Sequence, residues 1–359
     1  MELSPQQLVA DPGSEATAAA TAAYAFSATL AIQDITGLAT SGVTASHIAK
    51  RLEPSAESEA LLFALTELQA PRPATELGYR ELYPADTEFA HAWVFISLPL
   101  LEDLQVIEAN IVFDSEVAPL PGDKWPKAPW ESALQFIDEL SAPLSRPIRQ
   151  IWVTHAPGAF EPPAVAGSGY SLAFREEQAT CAADAIVSLP TGSTAEFDVV
   201  EGPGFAGSRT AEPGEVEQFS ALLTSASKNY PRGQLALETI EWDLKRIVDA
   251  GARLSDRGGL QLTGLARVGG EIVGLCEAVR YVHDDPKVCE LGLVYVLPEY
   301  RGRGIGVGLL RATITRARET WEDLETVYCS YPADSPAASA IAAQLGAEVV
   351  SSTSAWQKA

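Results

Sequence analysis

The sequence predicts an α/β fold made of two similar units in tandem, each with a mixed sheet flanked by helices. The chain has 359 residues, the length of about two domains at roughly 150 residues per domain. Strand and helix patterns alternate in both halves, and the order in the first half echoes that in the second. The run at 188–195 gathers turn-forming residues between the two patterned regions. We therefore predict one domain over residues 1–195 and a second over residues 196–359.

The second half has the clearer pattern of elements. A short strand at 196–201 precedes two amphipathic helices, at 212–225 and 239–250. A hairpin joins strands 261–268 and 271–281 through Gly269 and Gly270, a pair suited to a tight turn. The remaining elements are predicted in the order strand 289–296, helix 304–318, strand 324–330, helix 335–345 and strand 349–356.

The first half repeats this alternation less clearly. Its apolar patterns predict helices at 16–32 and 55–68, strands at 77–82, 90–97 and 104–114, a helix at 130–140, and strands at 148–155 and 170–176. The similar order of elements is the reason for predicting two copies of one unit.

The composition is that of an acidic protein able to form a large core. Hydrophobic residues make up 47% of the chain, and 48 acidic against 25 basic residues give a formal net charge of −23. Nucleic acids and anionic membrane surfaces bind through basic faces, so this charge argues against both as partners. The N-terminus lacks the basic segment of a signal peptide, and the four cysteines form no CxxC pair. We expect a soluble cytoplasmic protein, a monomer or homodimer, with no bound metal.

The segment most informative about chemistry is residues 293–310, LVYVLPEYRGRGIGVGLL. A strand leads into a glycine-rich turn, and the turn opens directly into a helix. Because these glycines carry no side chains, several backbone N–H groups can approach one anion. The helix N-terminus adds its unpaired donors and the positive end of its dipole. Five arginines stand between residues 299 and 318, and together these features predict a phosphate-binding loop.

Two common phosphate motifs do not fit this loop. The P-loop needs a Lys-Ser/Thr pair after the glycines, and the dinucleotide fingerprint needs the spacing G-x-G-x-x-G, whereas this loop reads G-x-G-x-G-x-G. The pattern that fits is Arg-x-x-Gly-x-Gly, formed by Arg301, Gly304 and Gly306 after the strand that ends in Val296. This stretch resembles motif A of the GNAT acyltransferase superfamily, and the element order over residues 196–359 is also similar to that of the family.

The resemblance implies that residues 196–359 form a catalytic GNAT domain that binds acetyl-CoA. The backbone of Val294, Tyr295 and Val296 would then pair with the pantetheine arm as an added strand, and residues 333–338 would line the other side of the coenzyme. Ser335 stands where relatives often have Asn, so it would keep part of that hydrogen bonding. The amides expected to receive the pyrophosphate are those of Arg301, Gly302, Arg303, Gly304, Ile305, Gly306 and Val307.

Two strand carboxylates are candidates for the general base that deprotonates an incoming amine. Glu290 begins the strand that leads into the loop, and strict alternation would put it on one face with Val294 and Val296. Glu277 lies on the preceding strand, at a position where actinobacterial-type relatives often have Glu. The alternative for either residue is a solvated or salt-bridged strand carboxylate.

The acid that protonates the leaving thiolate is harder to place. Many GNAT relatives carry a Tyr at the position of Ala342, so Tyr331, a water or the amine's own proton would serve here. His283 lies beside Asp284 and Asp285, but adjacent acids in a turn are usually solvated, so we expect no metal there.

The first half lacks an Arg-x-x-Gly-x-Gly pattern. Its corresponding segment, residues 115–129, is acidic and rich in prolines, which remove N–H donors. We therefore expect a degenerate copy of the second unit, without a coenzyme site. A tandem arrangement of this kind is similar to that of actinobacterial acyltransferases, mycothiol synthase among them.

These expectations lead to an acetyl-CoA-dependent N-acetyltransferase that acts on the amine of a small molecule by direct attack, without a covalent enzyme intermediate. Two alternatives stay open. One is a mycothiol-synthase-like acetylation of a thiol-cofactor precursor. The other is a non-catalytic acyl-CoA-binding regulatory protein, suggested by Ala342.

Overall fold

The structure, a computed structural model, describes residues 3–38, 42–119, 123–158, 165, 167–190, 192–202, 214–282 and 284–359. Contacts within the chain divide it into two compact units. The first unit comprises Met1–Arg175, Arg232–Glu238 and Ser351–Ala359, and the second comprises Glu176–Pro231 and Thr239–Val350.

The first unit has a mixed sheet with helices on both faces. Along the chain, its elements are β1 (Ser4–Gln7), α1 (Glu15–Thr36), α2 (Ala45–Arg51), β2 (Ser58–Thr66), β3 (Arg80–Glu81), β4 (Ala90–Pro99), β5 (Val106–Phe113), α3 (Lys127–Leu144), β6 (Ile148–His155) and the start of β7 (Ser171–Ala182). The C-terminal strand β13 (Glu348–Lys358) completes the sheet, whose strand order is β3-β1-β2-β4-β5-β6-β13.

The second unit has the same kind of sheet. Its elements after β7 are α4 (Ala183–Val187), β8 (Glu196–Glu201), α5 (Glu215–Asn229), α6 (Leu244–Asp256), β9 (Gly259–Val268), β10 (Glu271–Tyr281), β11 (Val288–Val296), α7 (Ile305–Thr320), β12 (Thr326–Pro332) and α8 (Pro336–Gln344). The strand order is β7-β12-β11-β10-β9-β8.

Strand directions follow one pattern in both units. From β1 through β2, β4 and β5, and from β8 through β9, β10 and β11, neighbouring strands are antiparallel. A parallel pair follows in each case, β5 with β6 and β11 with β12, and a helix connects its two strands. This correspondence confirms the predicted α/β fold of two tandem units.

The last strand of each sheet comes from an unexpected part of the sequence. β7 follows β6 in the chain, yet its residues Glu176–Ala182 pair with β12. β13 follows β12, yet Ser352–Lys358 pair with β6. As a consequence of this pairing, the first unit ends at Arg175 and also includes Ser351–Ala359. This division differs from the boundary expected at residue 195.

The prediction of a helix over residues 55–68 is wrong, because Ser58–Thr66 form strand β2. Phe63 and Leu65 pack into the core beneath α3, whereas Leu62 and Ala64 pack with residues of α1 and α2. A strand buried on both faces carries a continuous apolar run, so the alternation that would have identified it is missing.

Other differences concern element ends. The helix predicted from 239 begins at Leu244, because the Asp243 carboxylate caps it by accepting the Arg246 N–H at 2.7 Å. The strand predicted at 77–82 is observed only over Arg80–Glu81, as β3. The predicted start of the helix at 212 lies outside the described residues, and β1, α2 and α4 were not predicted.

Candidate active site

The two parallel strands of the second unit separate at one end. Pairing of β11 with β12 runs from Val288 opposite Thr326 to Leu291 opposite Cys329. Beyond that point both strands continue, and their outer edges stay paired with β10 and β7. A gap therefore opens in the sheet at the carboxyl ends of two parallel strands, the place where α/β sheets commonly bind ligands.

A β-bulge in β11 lies beside this gap. Cys276 of β10 faces Val294, and Ala278 faces Leu291, so Gly292 and Leu293 share the position opposite Glu277. A bulge of this kind bends the strand and increases its local twist. A Cβ on Gly292 would lie 3.0 Å from Oε2 of Glu277 and 3.1 Å from its Cβ, so this close approach favours glycine.

The loop after β11 turns the chain into α7. Gly302 and Gly304 have φ angles of +76° and +74°, the left-handed conformation that glycine adopts without steric cost. Gly304 is the N-cap of α7 and has no side chain to bond the first helical amides. The first backbone bond into the helix runs from the Gly308 N–H to the Gly304 carbonyl at 3.0 Å.

The free amides of this loop begin one residue later than the sequence indicated. The Arg301 N–H was expected among the anion-binding amides, but here it donates to the Pro298 carbonyl at 3.3 Å and closes a turn. Among the described residues, no backbone acceptor takes the N–H groups of 302–307. We call residues 302–307 the amide loop; its donors lie at the positive end of the α7 dipole.

Two arginine side chains shape the amide loop. Arg301 Nε donates to the Val296 carbonyl at 2.9 Å, and an Arg303 guanidinium nitrogen donates to the Glu299 carbonyl at 2.9 Å. Their guanidinium groups lie 5.3 Å from the ring centres of Tyr295 and Tyr300, respectively. Both arginines are exposed, so they contribute positive charge at the loop while holding it against the strand end.

The other basic residues of the predicted cationic cluster do not all serve the loop. Arg316 pairs with Glu201 and Glu319, and Arg318 pairs with Asp184, near the far end of α7. Arg311 donates to the Leu189 carbonyl at 3.3 Å. Three of the five arginines therefore lie on α7, spread along its length, which the run of sequence did not reveal.

The three strand residues predicted to hold the pantetheine arm lie at the gap. Val294 and Val296 are half-buried and pack toward the α7 side of the sheet, whereas Tyr295 packs toward α5. The Tyr295 side chain is only 4% exposed, and its hydroxyl lies 2.9 Å from the Ser225 hydroxyl. Only the backbone of Tyr295 is thus left for a ligand, as the predicted strand addition requires.

The Glu277 carboxylate lies at the bulge. Oε2 accepts the backbone N–H of Leu293 at 3.2 Å, and Oε1 accepts from Gln261 Nε2 at 3.1 Å. Burial raises the pKa of Glu277 above that of an ordinary carboxyl, although both hydrogen bonds oppose the rise. A carboxylate with an increased pKa next to a strand gap has the chemistry of a general base.

The bulge changes the face to which Glu290 belongs. Before it, Leu291 packs toward α7; after it, Val294 and Val296 do so. Glu290 therefore shares its face with Leu293 and Tyr295, and the alternation that grouped it with Val294 and Val296 was wrong. Its side chain is exposed. Partial loss of water and the charge of Asp284 raise its pKa, and it lies in the paired part of β11, before the gap.

The helix after β12 has fewer free hydrogen-bonding groups for a coenzyme than the sequence predicted. The Ser335 hydroxyl oxygen accepts the Ala338 N–H at 3.3 Å and so caps α8. Ala342 is buried and has no group for acid chemistry. Tyr331 lies on β12 beyond its pairing with β11, and burial followed by nearby Cys329 and Glu177 raises its pKa.

The described residues contain no group of three metal-binding side chains placed around one point. His283, the residue considered for a metal, lies outside them. Among the helices that the structure describes, none is both long and apolar enough to cross a membrane.

Comparison with known proteins gives one family and one fold. Residues 219–346 match the model of the acetyltransferase (GNAT) family, whereas a search of curated protein sequences gave no significant match. A tandem GNAT protein from the clavulanic acid biosynthesis pathway, solved without AcCoA, is 16% identical, with a TM-score of 0.64 over 99% of this chain and 98% of that one.

A GCN5-related N-acetyltransferase from Sphaerobacter thermophilus is 15% identical, with a TM-score of 0.56 over 99% of this chain and 95% of that one. At these identities the likeness is one of fold. The family match falls on the second unit, around the strand gap and the amide loop, so this part of the chain matches a GNAT acetyltransferase domain. The fold of the chain is that of a tandem GNAT protein.

Proposed function

We propose that the second unit transfers an acetyl group from acetyl-CoA to the amine of a small molecule by direct attack of the amine nitrogen. The observation that carries this proposal is the gap between β11 and β12, which leads into the amide loop. The inner strand edges suit a chain that carries amide groups, and the amide loop suits phosphate.

The residues of the loop fit a pyrophosphate. The N–H groups of 302–307 are without backbone acceptors in the described part of the chain. A Cβ on Gly306 would have only Val296 Cγ2 nearby, at 4.0 Å, so the surface in front of this residue is open. The two exposed arginines supply positive charge in a chain that is otherwise strongly acidic.

Acetyl-CoA supplies the activated acyl group, and we assign the other steps to this chain's residues. Glu277 takes a proton from the incoming ammonium group, which frees the nitrogen lone pair. A strand N–H near Tyr295 or Val296 donates to the acyl oxygen as the C–N bond forms and the C–S bond breaks. Tyr331 is protonated at neutral pH, and burial favours this form further by raising its pKa. It gives its proton to the departing thiolate and regains one when the nitrogen loses its second proton as the amide forms.

Release of free thiol from acetyl-CoA, measured over a panel of small amines, tests this proposal. We expect turnover with at least one amine, and much lower turnover at limiting acetyl-CoA with a variant whose amide loop is blocked, such as Gly306→Glu. Coenzyme binding without turnover on any amine would favour a regulatory protein. Preference for an acceptor whose amine belongs to a cysteinyl group would favour acetylation of a thiol-cofactor precursor.

A further inference from the structure

The first unit contains a cavity of about 1730 Å³, above the ~300–1,000 Å³ usual for small-molecule sites. Residues of α1, including Ala28, Ala31 and Ile32, line one side of it. Residues of α3 and of the loop before it line the other side, and the ends of β5 and β6 lie in the middle. The cavity therefore passes through the plane of the sheet.

The passage exists because β5 and β6 separate. Their parallel pairing runs from Val106 opposite Ile148 to Asn110 opposite Trp152. Three further residues of each strand continue beyond it, while the outer edges remain paired as far as Phe113 with β4 and His155 with β13. Residues 111–113 and 153–155 thus have no strand partner across the gap within the described structure, and their inward N–H and C=O groups face the cavity.

Aromatic residues line several parts of the cavity. Phe113, Trp125 and Trp130 form a cluster with ring centres 5.1–5.9 Å apart. Tyr24 and Trp152 line other parts of the cavity. Trp125 is 38% exposed, so part of this apolar surface is in contact with solvent in the free protein. Such surfaces favour flat or apolar ligands.

The same cavity lacks what a pyrophosphate needs. α3 begins after Pro126 and contains Pro129 in its first turn, so two amides are missing where α7 presents a continuous series. Lys127 is paired with Glu131 at 3.3 Å. Acidic side chains outnumber basic ones in the lining: Asp34, Asp123, Glu131, Asp138 and Glu139 against Arg51, Lys124 and Lys127.

We propose that this cavity is a second ligand site, which binds an uncharged and largely apolar small molecule carrying an amide group, and which excludes coenzyme A. The aromatic wall holds the apolar part of the ligand, and the inward strand edges pair with its amide. This site belongs to the first unit alone and does not depend on the function proposed for the second.

Calorimetric titration with N-acetyltryptamine, a neutral aromatic amide, tests the proposal on the full chain. We expect saturable binding to the wild type and a loss of about tenfold or more in Ala31→Trp, whose indole fills the cavity from α1. Ala18→Trp is the matched control, because Ala18 is exposed on the same helix and does not line the cavity. Thermal unfolding of both variants checks that they fold.

Two further titrations separate this site from the other unit. Gly306→Glu should bind N-acetyltryptamine as the wild type does, and Ala31→Trp should bind acetyl-CoA as the wild type does. The uncharged 3-ethylindole, which has the same ring system but lacks the amide, should bind more weakly than N-acetyltryptamine. The proposal is overturned if the wild type does not bind N-acetyltryptamine, if Ala31→Trp binds it normally, or if Ala31→Trp loses a bound coenzyme.

Discussion

Glu277 combines a structural and a chemical property at one position. Its carboxylate satisfies the Leu293 N–H that the bulge takes out of the strand ladder. A carboxylate has about four acceptor sites, so two hydrogen bonds leave capacity for an amine or a water. Because the pKa of Glu277 is raised, it is a stronger base than an ordinary carboxylate.

We predict that Glu277→Gln lowers turnover by about 10²-fold, within the range usual for general bases. The amide keeps the shape and one acceptor of the carboxyl but cannot take a proton. Affinity for acetyl-CoA should change little, since Glu277 is not part of the amide loop. Glu290→Gln is the control, because Glu290 lies before the gap. Wild-type turnover in Glu277→Gln would show that its carboxylate only supports the bulge.

Gln261 provides an independent test of the same base. Its hydrogen bond stabilises the charged form of Glu277 and lowers its pKa. In Gln261→Ala this bond is lost, so the pKa of Glu277 rises. A base acts only when deprotonated, and the acid limb of kcat/KM against pH should therefore move to higher pH. An unchanged pH profile with normal folding would separate Glu277 from the titrating step.

At the scale of elements, the start of α7 decides coenzyme binding. We predict that Gly306→Glu weakens acetyl-CoA binding by about 10²-fold, the equivalent of about 2.8 kcal/mol, because a negative side chain then stands before the amide loop. The fold should survive, since a Cβ there has room and an acid in the first helical turn is favourable. Calorimetry measures the affinity.

Gly306→Gln separates charge from size in that experiment. It places a side chain of the same length at the same position without the negative charge, so its loss of affinity should be smaller. Equal binding by Gly306→Glu and the wild type, with both folded, would remove the amide loop as the anion site.

The packing of α7 on the sheet makes a separate prediction about stability. A Cβ on Gly264 of β9 would lie 2.0 Å from Thr313 Oγ1 in the middle of α7. Gly264→Ala should therefore destabilise the protein by about 1–3 kcal/mol, as overpacked cores do. In the Thr313→Ala background the same substitution should cost less, because the clashing oxygen is gone. Denaturant unfolding of the four proteins measures this coupling, and additive effects would contradict it.

Local patterns predicted most elements of the second unit, because half-buried strands and amphipathic helices show their periods directly. Strand β10 begins and ends where the pattern placed it, at Glu271 and Tyr281. Two features could not be predicted from these patterns, for physical reasons. β2 is buried on both faces and shows no alternation. The bulge at Gly292 and Leu293 depends on pairing with β10, which a single strand's sequence does not encode.

At the scale of the whole molecule, tandem units were predictable from the repeated element order, but the origin of each last strand was not. β7 pairs with β12 and β13 pairs with β6, a choice made by strand edges far apart in sequence. The candidate site was likewise predictable only in part. The glycine spacing predicted the amide loop, whereas the involvement of the Arg301 N–H in a turn and the dispersal of three arginines along α7 emerged only from the fold.

The two units, although alike in topology, differ at the position where a coenzyme would bind. Both have a parallel strand pair that separates, but the first unit has no register shift between β4 and β5 over the residues paired there, and prolines replace the glycines at the start of its helix. We predict that one acetyl-CoA binds per chain, in the second unit. Calorimetric titration should give a stoichiometry near one, and Gly306→Glu should weaken this binding by about 10²-fold. A stoichiometry near two, or a site that keeps its affinity in Gly306→Glu, would mean that the first unit also binds the coenzyme. Since the first unit has prolines in place of an amide loop, it would then have to recognise phosphate in a different way.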